Sequence, residues 1–317
     1  MLLPELKIGH LIPKFPIIQG GMSVRVSTAP LAAAVARSGG IGVIGATGID
    51  LAELKDEIRK ARALAGNGII GVNIMFAARQ FADLVHTAID EKIDIIFTGA
   101  GFSRDIFKWA KGTDTEIVPI VSSAKAARLA EKSGAPAVVA EGFEAGGHLG
   151  TDRSIKEIVP EIVATVKIPV VAAGGIVNGQ DMAEMIKLGA SGVQMATRFV
   201  LSEECDVADE YKQMYLNAKA EDVVIIKSPV GMPGRALRNN FIERVEQGSA
   251  DLEPEDCDAC LKNCSQDYCI LQALTNAKDG LVQQGVVFVG QNVFKIKEIL
   301  PVSVIFDRIL AEYAAAQ

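Results

Sequence analysis

One pattern repeats along this chain, and the number of its repeats limits the folds that the chain can adopt. From residue 15 onward, short apolar runs bounded by Gly or Pro alternate with longer segments of helical periodicity. This alternation predicts repeated βα units and a parallel sheet. The predicted strands are 15–20, 40–45, 69–76, 94–99, 116–122, 137–141, 169–173 and 192–197. The predicted helices lie near 29–38, 51–65, 79–91, 103–111, 124–133, 155–166, 179–188 and 203–218.

The count of units predicts the fold class. Eight βα units in about 200 residues are typical of a closed α/β TIM (β/α)8 barrel. An open, doubly wound sheet usually has fewer strands, and it is the structural alternative. The regular alternation stops after residue 218. We therefore expect a barrel over residues 1–218 and a smaller C-terminal cap region over residues 219–317.

Composition and charge exclude several classes of partner. The chain has 49% apolar residues and 30 glycines, which suit many short buried strands joined by tight turns. Its net charge of −7, with both signs mixed, argues against nucleic acid as a partner. We see neither a membrane-spanning apolar run nor the basic and apolar order of a signal peptide. A cytoplasmic location is therefore expected, with no membrane partner.

The loops after the last two predicted strands are candidates for phosphate binding. Their sequences are AAGGI (172–176) and QMATRF (194–199). Glycine lets the backbone approach an anion closely, and a helix beginning near Asn178 would point its N–H groups at that anion. The candidate residues are Gly174, Gly175, Ala196 and Thr197. The alternative is that these glycines only form turns.

Two amide side chains are predicted at the same end of the barrel. Gln19 stands in IQGGM (18–22) at the end of the first strand, and Asn73 stands in GVNIM (71–75) on the third. Amide groups and backbone N–H groups around one cavity suit the polar edge of a flavin ring, which offers both carbonyl and N–H groups.

One of the three histidines follows a predicted barrel strand. The sixth strand leads into AEGFEAGGHLG (140–150), where two glycines precede His148. The glycines let this loop turn back over the cavity, where an imidazole can act as acid, base or hydrogen-bond donor. The alternative is a loop histidine without a chemical role. For His10 and His86 we expect surface or packing roles.

Short segments distributed in order over residues 15 to about 200 resemble one enzyme family. The chain is similar to the family that joins nitronate monooxygenases, also called 2-nitropropane dioxygenases, with the flavin-type enoyl-acyl carrier protein reductases. The matching segments are PIIQGGM (16–22), GIGVIG (40–45), GVNIM (71–75), TGAG (98–101), AEGFEAGGHLG (140–150), IPVVAAGGI (168–176), GVQMATRF (192–199) and, more weakly, VGQ (289–291).

The resemblance implies a TIM barrel that binds FMN without a covalent bond. The residues that it places along or beside the flavin ring are Gln19, Gly20, Gly21, Met22, Asn73, Glu141, Gly146 and Gly147, and Gln194 is a further expected cofactor-binding residue. The residues that it places at the FMN phosphate are Gly174, Gly175, Ala196 and Thr197. His148 matches the family's active-site histidine.

The chain departs from this family in a cysteine cluster. Cys257, Cys260, Cys264 and Cys269 form C-x2-C-x3-C-x4-C, and four such thiolates would repel one another unless a cation held them. A compact run is closer to iron–sulfur sites than to zinc sites, which usually use two separated pairs. We predict a [4Fe–4S] cluster, with zinc or with free or disulfide-linked thiols as alternatives. Cys205 stands apart and is expected in a buried helix.

Three functions remain open from the sequence. The leading hypothesis is an FMN-dependent reductase that takes electrons from NAD(P)H or an electron carrier and reduces a small acceptor such as an enoyl thioester, quinone or nitro compound. TGAG and the histidine loop look more like the reductase branch. The second hypothesis is a nitronate monooxygenase that uses oxygen, and the third is a non-redox barrel that binds a phosphate ligand. A small-molecule substrate and a homodimer are expected.

Overall fold

A computed structural model describes residues 3–249, 252, 254, 257 and 259–317. Eight parallel strands close into a barrel, so the TIM-barrel prediction is confirmed. The barrel strands are β1 (Ile17–Gln19), β2 (Ile41–Gly45), β3 (Ile69–Met75), β4 (Ile95–Gly99), β5 (Glu116–Val121), β6 (Val138–Glu141), β8 (Val170–Ala173) and β9 (Gly192–Met195). A short strand, β7 (Gly147–His148), lies outside the barrel. Each barrel strand falls within its predicted range.

The barrel closes because β1 pairs with both β2 and β9. Apolar side chains such as Ile18, Phe97 and Val139 fill its interior. The N-terminal segment adds Leu6 and Ile8 to this core. The structure thus has a packed barrel interior and one open rim at the carboxyl ends of the strands.

Helices surround the barrel and continue into the C-terminal part. They are α1 (Ala29–Arg37), α2 (Leu51–Ala65), α3 (Phe81–Asp90), α4 (Asp105–Trp109), α5 (Ala124–Lys132), α6 (Ile155–Val163), α7 (Gly179–Lys187), α8 (Thr197–Val200), α9 (Asp209–Asn217), α10 (Asn240–Glu246), α11 (Ile270–Lys278) and α12 (Val302–Ala315). None of the described helices has the length and apolar character needed to cross a membrane.

The last predicted barrel helix begins later than expected. The sequence predicts a helix from residue 203, but α9 begins at Asp209, and the preceding residues form a loop. Cys205 is buried in this loop, where its thiol donates to the Val26 carbonyl at 3.2 Å. Its burial was predicted correctly and its helical position was not, because this tertiary hydrogen bond leaves no local pattern.

The C-terminal part has a small core of its own. Strands β10 (Val223–Lys227) and β11 (Pro233–Leu237) form a hairpin, and β11 also pairs with β7. Residues from this hairpin, α10, α11 and the cysteine region pack together. Helix α12 instead returns to the barrel, where Phe306 contacts Phe15 and Phe199. The domain boundary at residue 218 stays a prediction.

Close packing of α1 on the barrel depends on a glycine in β2. Helix α1 is rich in alanine, and a Cβ atom at Gly42 would stand 1.8 Å from the Ala32 carbonyl oxygen. Gly42 therefore lets the helix backbone lie directly on the strand. At Gly99 in β4, by contrast, a Cβ atom would approach nothing closer than 3.5 Å.

We expect the Gly42→Ala change to destabilise the protein strongly, because helix α1 would have to move away from the barrel. The free energy of unfolding should fall by roughly 3 kcal/mol or more, whereas Gly99→Ala should change it by about 1 kcal/mol or less. Urea unfolding of both variants measures the difference. Equal stability of the two variants would show that α1 does not depend on this contact.

Candidate active site

A large cavity opens at the carboxyl ends of the barrel strands. Its volume is about 1060 Å³, and the cap forms part of its wall. Most of the site residues predicted from the sequence lie on this wall. They are Gly20, Gly21, Met22, Asn73, Glu141, Gly146, Gly147, His148, Gln194, Ala196 and Thr197.

Gln19 is not on the cavity wall. Its side chain is completely buried, its Oε1 accepts from the Val43 N–H at 2.9 Å, and its Nε2 donates to the Gly20 carbonyl. Both ends of the amide are therefore used within the barrel. Gln19 joins β1 to β2 rather than presenting its amide to the cavity.

Two unpaired amide groups do reach the cavity. The side chains of Asn73 and Gln194 line it and make no hydrogen bond within the part of the chain that the structure describes. Gly21 allows the backbone to approach Asn73 closely, since a Cβ atom there would stand 2.3 Å from the Asn73 Cβ. Two free amides beside a glycine-lined wall fit the polar edge of a flavin ring.

The predicted phosphate loops offer free backbone donors. Among the described residues, none accepts a hydrogen bond from the N–H groups of Gly174, Gly175, Ala196 or Thr197. Ala196 and Thr197 lie on the cavity wall. Gly174 and Gly175 do not, and they have φ angles of 118° and 71° under the loop that contains Glu144. The Asn292 side chain donates to the Gly175 carbonyl at 2.6 Å.

The helix after β8 does not contribute its N-terminus to this site. The Gly179 N–H of α7 donates to Glu312 Oε2 at 2.8 Å, and the Asn178 side chain accepts from Asp181 N–H. The expectation that this helix points free N–H groups at an anion is therefore wrong. The Glu312 carboxylate of α12 already accepts from the first N–H group of α7. The positive end of the helix dipole stabilises the negative charge of this carboxylate.

His148 is fixed in place by the cap hairpin. It belongs to β7, which pairs with β11 through His148 opposite Gly234. Its Nε2 atom lies 2.8 Å from Ser228 Oγ, and its ring meets the edge of Phe288 at a centroid distance of 5.1 Å. Burial lowers the pKa of His148 to about 4. The imidazole is therefore neutral at pH 7.

The other two histidines have the roles expected for them. His10 is exposed and its Nδ1 lies 2.8 Å from Glu116 Oε1, at the start of β5. His86 on α3 packs against Trp109 with a centroid distance of 4.8 Å. Neither lies on the cavity wall.

Glu141 is a second residue of the cavity wall whose pKa is shifted by burial. It lies at the end of β6, in register with Ala173 of β8, which is in turn opposite Gln194 of β9. Burial raises the pKa of Glu141 to about 7. A large part of this carboxyl group is therefore protonated at neutral pH, when it can donate a hydrogen bond.

Two residues that support this loop were not predicted. Arg235 is buried, donates its Nε to the Ala145 carbonyl at 3.0 Å, and places its guanidinium 4.5 Å from the Phe143 ring centroid. Ser228 contacts His148 directly. Both belong to SPVGMPGRALRN (228–239), whose glycines and prolines outside the barrel repeat were the available signal.

The structure does not support the predicted four-cysteine metal site. No group of three or more His, Cys, Asp or Glu side chains in the described ranges is arranged to hold a metal ion. Cys257 Sγ accepts from Ala259 N–H, and Cys269 Sγ accepts from Gln272 N–H, both at 3.4 Å. Burial raises the pKa of Cys260, and the thiols of Cys269 and Cys264 raise it further. The thiols are neighbours that repel one another when charged, and nothing in the structure draws them into a ligand set.

The cysteine segment, residues 259–269, docks on a loop at the cavity rim. The Arg79 N–H donates to the Cys260 carbonyl and the Lys262 N–H donates to the Ala77 carbonyl, both at 2.9 Å. The Lys262 ammonium also lies 3.6 Å from the Phe76 ring centroid. Cys260 and Leu261 thereby become part of the cavity wall.

The barrel and this cavity define a class of protein. Free amides, free backbone donors and a neutral histidine meet at the carboxyl ends of the strands, where TIM barrels place their active sites. The cavity is large enough for a flavin mononucleotide with a substrate beside it. These features are those of a flavin-dependent barrel oxidoreductase.

The chain belongs to the nitronate monooxygenase family. The family model described as nitronate monooxygenase matches residues 5–312. A Staphylococcus aureus (strain MSSA476) protein named "Probable nitronate monooxygenase" is 33% identical, over 75% of this chain and 79% of that protein. The chain is thus an FMN-dependent oxidoreductase, and this assignment favours redox chemistry over a non-redox barrel.

Solved structures agree with this assignment. FabK from Thermotoga maritima is 34% identical, with a TM-score of 0.86 over 96% of this chain and 94% of that chain. Nitroalkane oxidase from Streptomyces ansochromogenes is 24% identical, with a TM-score of 0.83 over 96% of this chain and 97% of that chain. The second likeness shows the shared fold.

We expect His148 and Glu141 to give opposite contributions to the pH dependence of stability in flavin-free protein. The folded pKa of His148 is depressed from 6.5 to about 4, so its burial lowers stability as pH falls through this range. The folded pKa of Glu141 is raised from 4.5 to about 7, so its burial lowers stability as pH rises through that range. Each effect is on the order of 3 kcal/mol over its full range.

Urea unfolding between pH 4 and pH 8 measures these contributions. Relative to the wild type, His148→Gln should lose stability as pH rises, because only the Glu141 effect remains. Glu141→Gln should show the opposite trend. Profiles parallel to the wild type in both variants would contradict the burial of these two groups.

Proposed function

We propose that this protein is a reductase that passes electrons from NAD(P)H through FMN to a small acceptor such as an enoyl thioester, a quinone or a nitro compound. The observation that supports this proposal best is the cavity, where a neutral His148 stands beside free amide and backbone donors. The resemblance of TGAG and the histidine loop to the reductase branch supports the same choice.

FMN would be held by the chain's unpaired polar groups. Asn73 and Gln194 would bind the polar edge of the ring. The N–H groups of Ala196 and Thr197 would bind the phosphate, and those of Gly174 and Gly175 would be further donors to it. The flavin, when bound, supplies hydride and electron transfer. Gly20 and Gly21 would leave room for the flat ring against the first strand.

The substrate would occupy the part of the cavity that the cap covers. Apolar side chains form much of this wall and would exclude water from the reacting atoms. They include Met75, Val230, Met232, Leu261, Leu271 and Leu274.

His148 would bind the acceptor as a neutral hydrogen-bond donor. Because its pKa is about 4, almost no imidazolium is present at pH 7 to give up a proton, but a neutral imidazole N–H can polarise a carbonyl or nitro oxygen while hydride is added. The hydride leaves NAD(P)H, and a proton from water completes the reduced product.

Oxidation of nitronates with oxygen is the second candidate. The names of the family model and of the Staphylococcus aureus relative favour it. His148 would then bind the nitronate oxygens in the same cavity.

The [4Fe–4S] cluster predicted from the cysteine spacing is not part of this proposal, because the thiols do not fit a metal in this structure. If the spacing nevertheless reflects such a cluster, protein purified without oxygen should contain about four iron and four sulfide per chain. One zinc per chain would indicate the alternative ligand set. Absence of both metals would leave four metal-free thiols, of which Cys257 and Cys269 accept backbone hydrogen bonds.

An electron carrier, a homodimer and a cytoplasmic location also remain proposals. The electron carrier was inferred from the predicted iron–sulfur cluster, so the argument for a carrier is weaker without that cluster. The absence of a membrane-spanning helix in the described residues is compatible with the location.

We expect anaerobic NADH or NADPH to bleach the flavin absorbance of the purified protein, and an enoyl thioester, quinone or nitro compound to restore it. His148→Gln should lower turnover of the acceptor roughly 100-fold while FMN remains bound, because a flexible amide replaces the fixed imidazole N–H that donates to the acceptor oxygen. His10→Gln, at the opposite end of the barrel, serves as the matched control and should retain wild-type turnover.

Stopped-flow absorbance and steady-state assays measure these steps. Flavin that neither nucleotide reduces, together with oxygen consumption on alkyl nitronates, would overturn the reductase proposal in favour of nitronate oxidation. A protein that binds no FMN would overturn both.

A further inference from the structure

The contact between His148 and Ser228 joins the active-site loop to the cap. Ser228 directly follows β10 and is 6% exposed, and its Oγ lies 2.8 Å from His148 Nε2. No hydrogen bond to a described residue is made by the other ring nitrogen, Nδ1. Of the two nitrogens, Nδ1 is therefore the one left for a ligand in the cavity.

The hydrogen bonds of Ser228 determine which way its proton points. Its Oγ accepts from the Val230 N–H at 3.4 Å, so the hydroxyl proton needs an acceptor of its own. His148 Nε2, at 2.8 Å, is such an acceptor. A neutral imidazole carries one proton, and an Nε2 atom that accepts from Ser228 leaves this proton on Nδ1.

Tyr268 of the cysteine segment stands behind this serine. Its hydroxyl donates to the carbonyl of Lys227, the residue before Ser228, at 3.1 Å. The Ser265 N–H of the same segment donates to the Pro229 carbonyl at 3.0 Å. The residues on both sides of Ser228 are thus tied to the cysteine segment.

We propose that Ser228 is the positioning residue for His148, donating to Nε2 so that Nδ1 carries the proton and faces the substrate, and that Tyr268 braces Ser228 from the cysteine segment. The proposal rests on the proposed role of His148 in binding the acceptor. It adds the nitrogen that does so and the two residues that select it. Triad enzymes likewise fix the tautomer of an imidazole through a neighbouring side chain.

The tautomer can be measured without turnover. The chain has three histidines, so protein labelled with ¹⁵N only in histidine gives few signals, and His148→Gln identifies those of His148. Long-range ¹H–¹⁵N correlation of the flavin-loaded protein should show the proton on Nδ1. In Ser228→Ala the spectrum should move toward the Nε2–H form, and in Ser228→Thr, which keeps the hydroxyl, it should stay as in the wild type.

Steady-state kinetics measures the consequence for the reaction. Ser228→Ala should lower kcat roughly 10- to 100-fold with KM changed less than about twofold, because the wrong nitrogen then carries the proton. Ser228→Thr should recover most of this loss. Tyr268→Phe should lower kcat by a smaller factor, and its effect should largely vanish in a Ser228→Ala background, because both act through one bond.

Two variants control for nonspecific effects. Ser133→Ala removes a hydroxyl that only bonds the Leu129 carbonyl at the end of α5. Tyr313→Phe removes a buried hydroxyl that has no hydrogen-bond partner among the described residues. Both should keep the wild-type kcat and His148 spectrum.

The outcomes separate this proposal from the proposed function. A proton on Nε2 in the wild type, or unchanged kcat and tautomer in Ser228→Ala, would overturn the positioning role even if the reductase reaction is present. Should no acceptor be turned over, the proposed function fails, and the tautomer measurement still decides whether Ser228 controls the imidazole.

Discussion

Closure of the sheet by pairing β1 with β9 is the constraint on which the rest of the structure depends. It brings the carboxyl ends of eight strands into one rim. Gly20 and Gln194 are far apart in sequence, but they become neighbours on the cavity wall. The N-terminal segment supports this closure by adding Leu6 and Ile8 to the barrel interior, and the alanine-rich face of α1 packs closely on the outside.

The cap gives the rim its chemical character. Strand β7 pairs with the hairpin of β10 and β11 as its third strand. The loop after β6 is therefore held by backbone pairing and by Arg235. Burial lowers the pKa of His148 and raises that of Glu141, so both groups favour their neutral forms more than the same groups in water do. One environment thus sets both protonation states.

The sequence was sufficient for the barrel because each strand carries its own local signal, an apolar run ended by Gly or Pro. It was also sufficient to place most of the cavity wall, since residues at strand ends share one rim in any closed barrel. The sequence was insufficient where a residue far away in the chain determines which hydrogen bond a site residue makes. Gln19 turns inward because Val43 offers an N–H, and the N-terminus of α7 is taken by Glu312, more than a hundred residues away. Neither partner can be recognised from the local sequence. The cysteine spacing indicated the number of thiols but not their directions, which depend on how residues 259–269 dock on the rim.

The pairing of β7 with β11 separates two tasks that many enzymes combine in one loop. The backbone of His148 is held by main-chain hydrogen bonds, which do not depend on the side chains of the paired residues, whereas Leu261, Leu271 and Leu274 of the apolar wall come from the cysteine segment and α11. Changes at these leucines, unlike changes at Tyr268, can therefore accumulate without displacing the imidazole. Relatives with this arrangement could therefore come to use different acceptors while the imidazole stays in the same position.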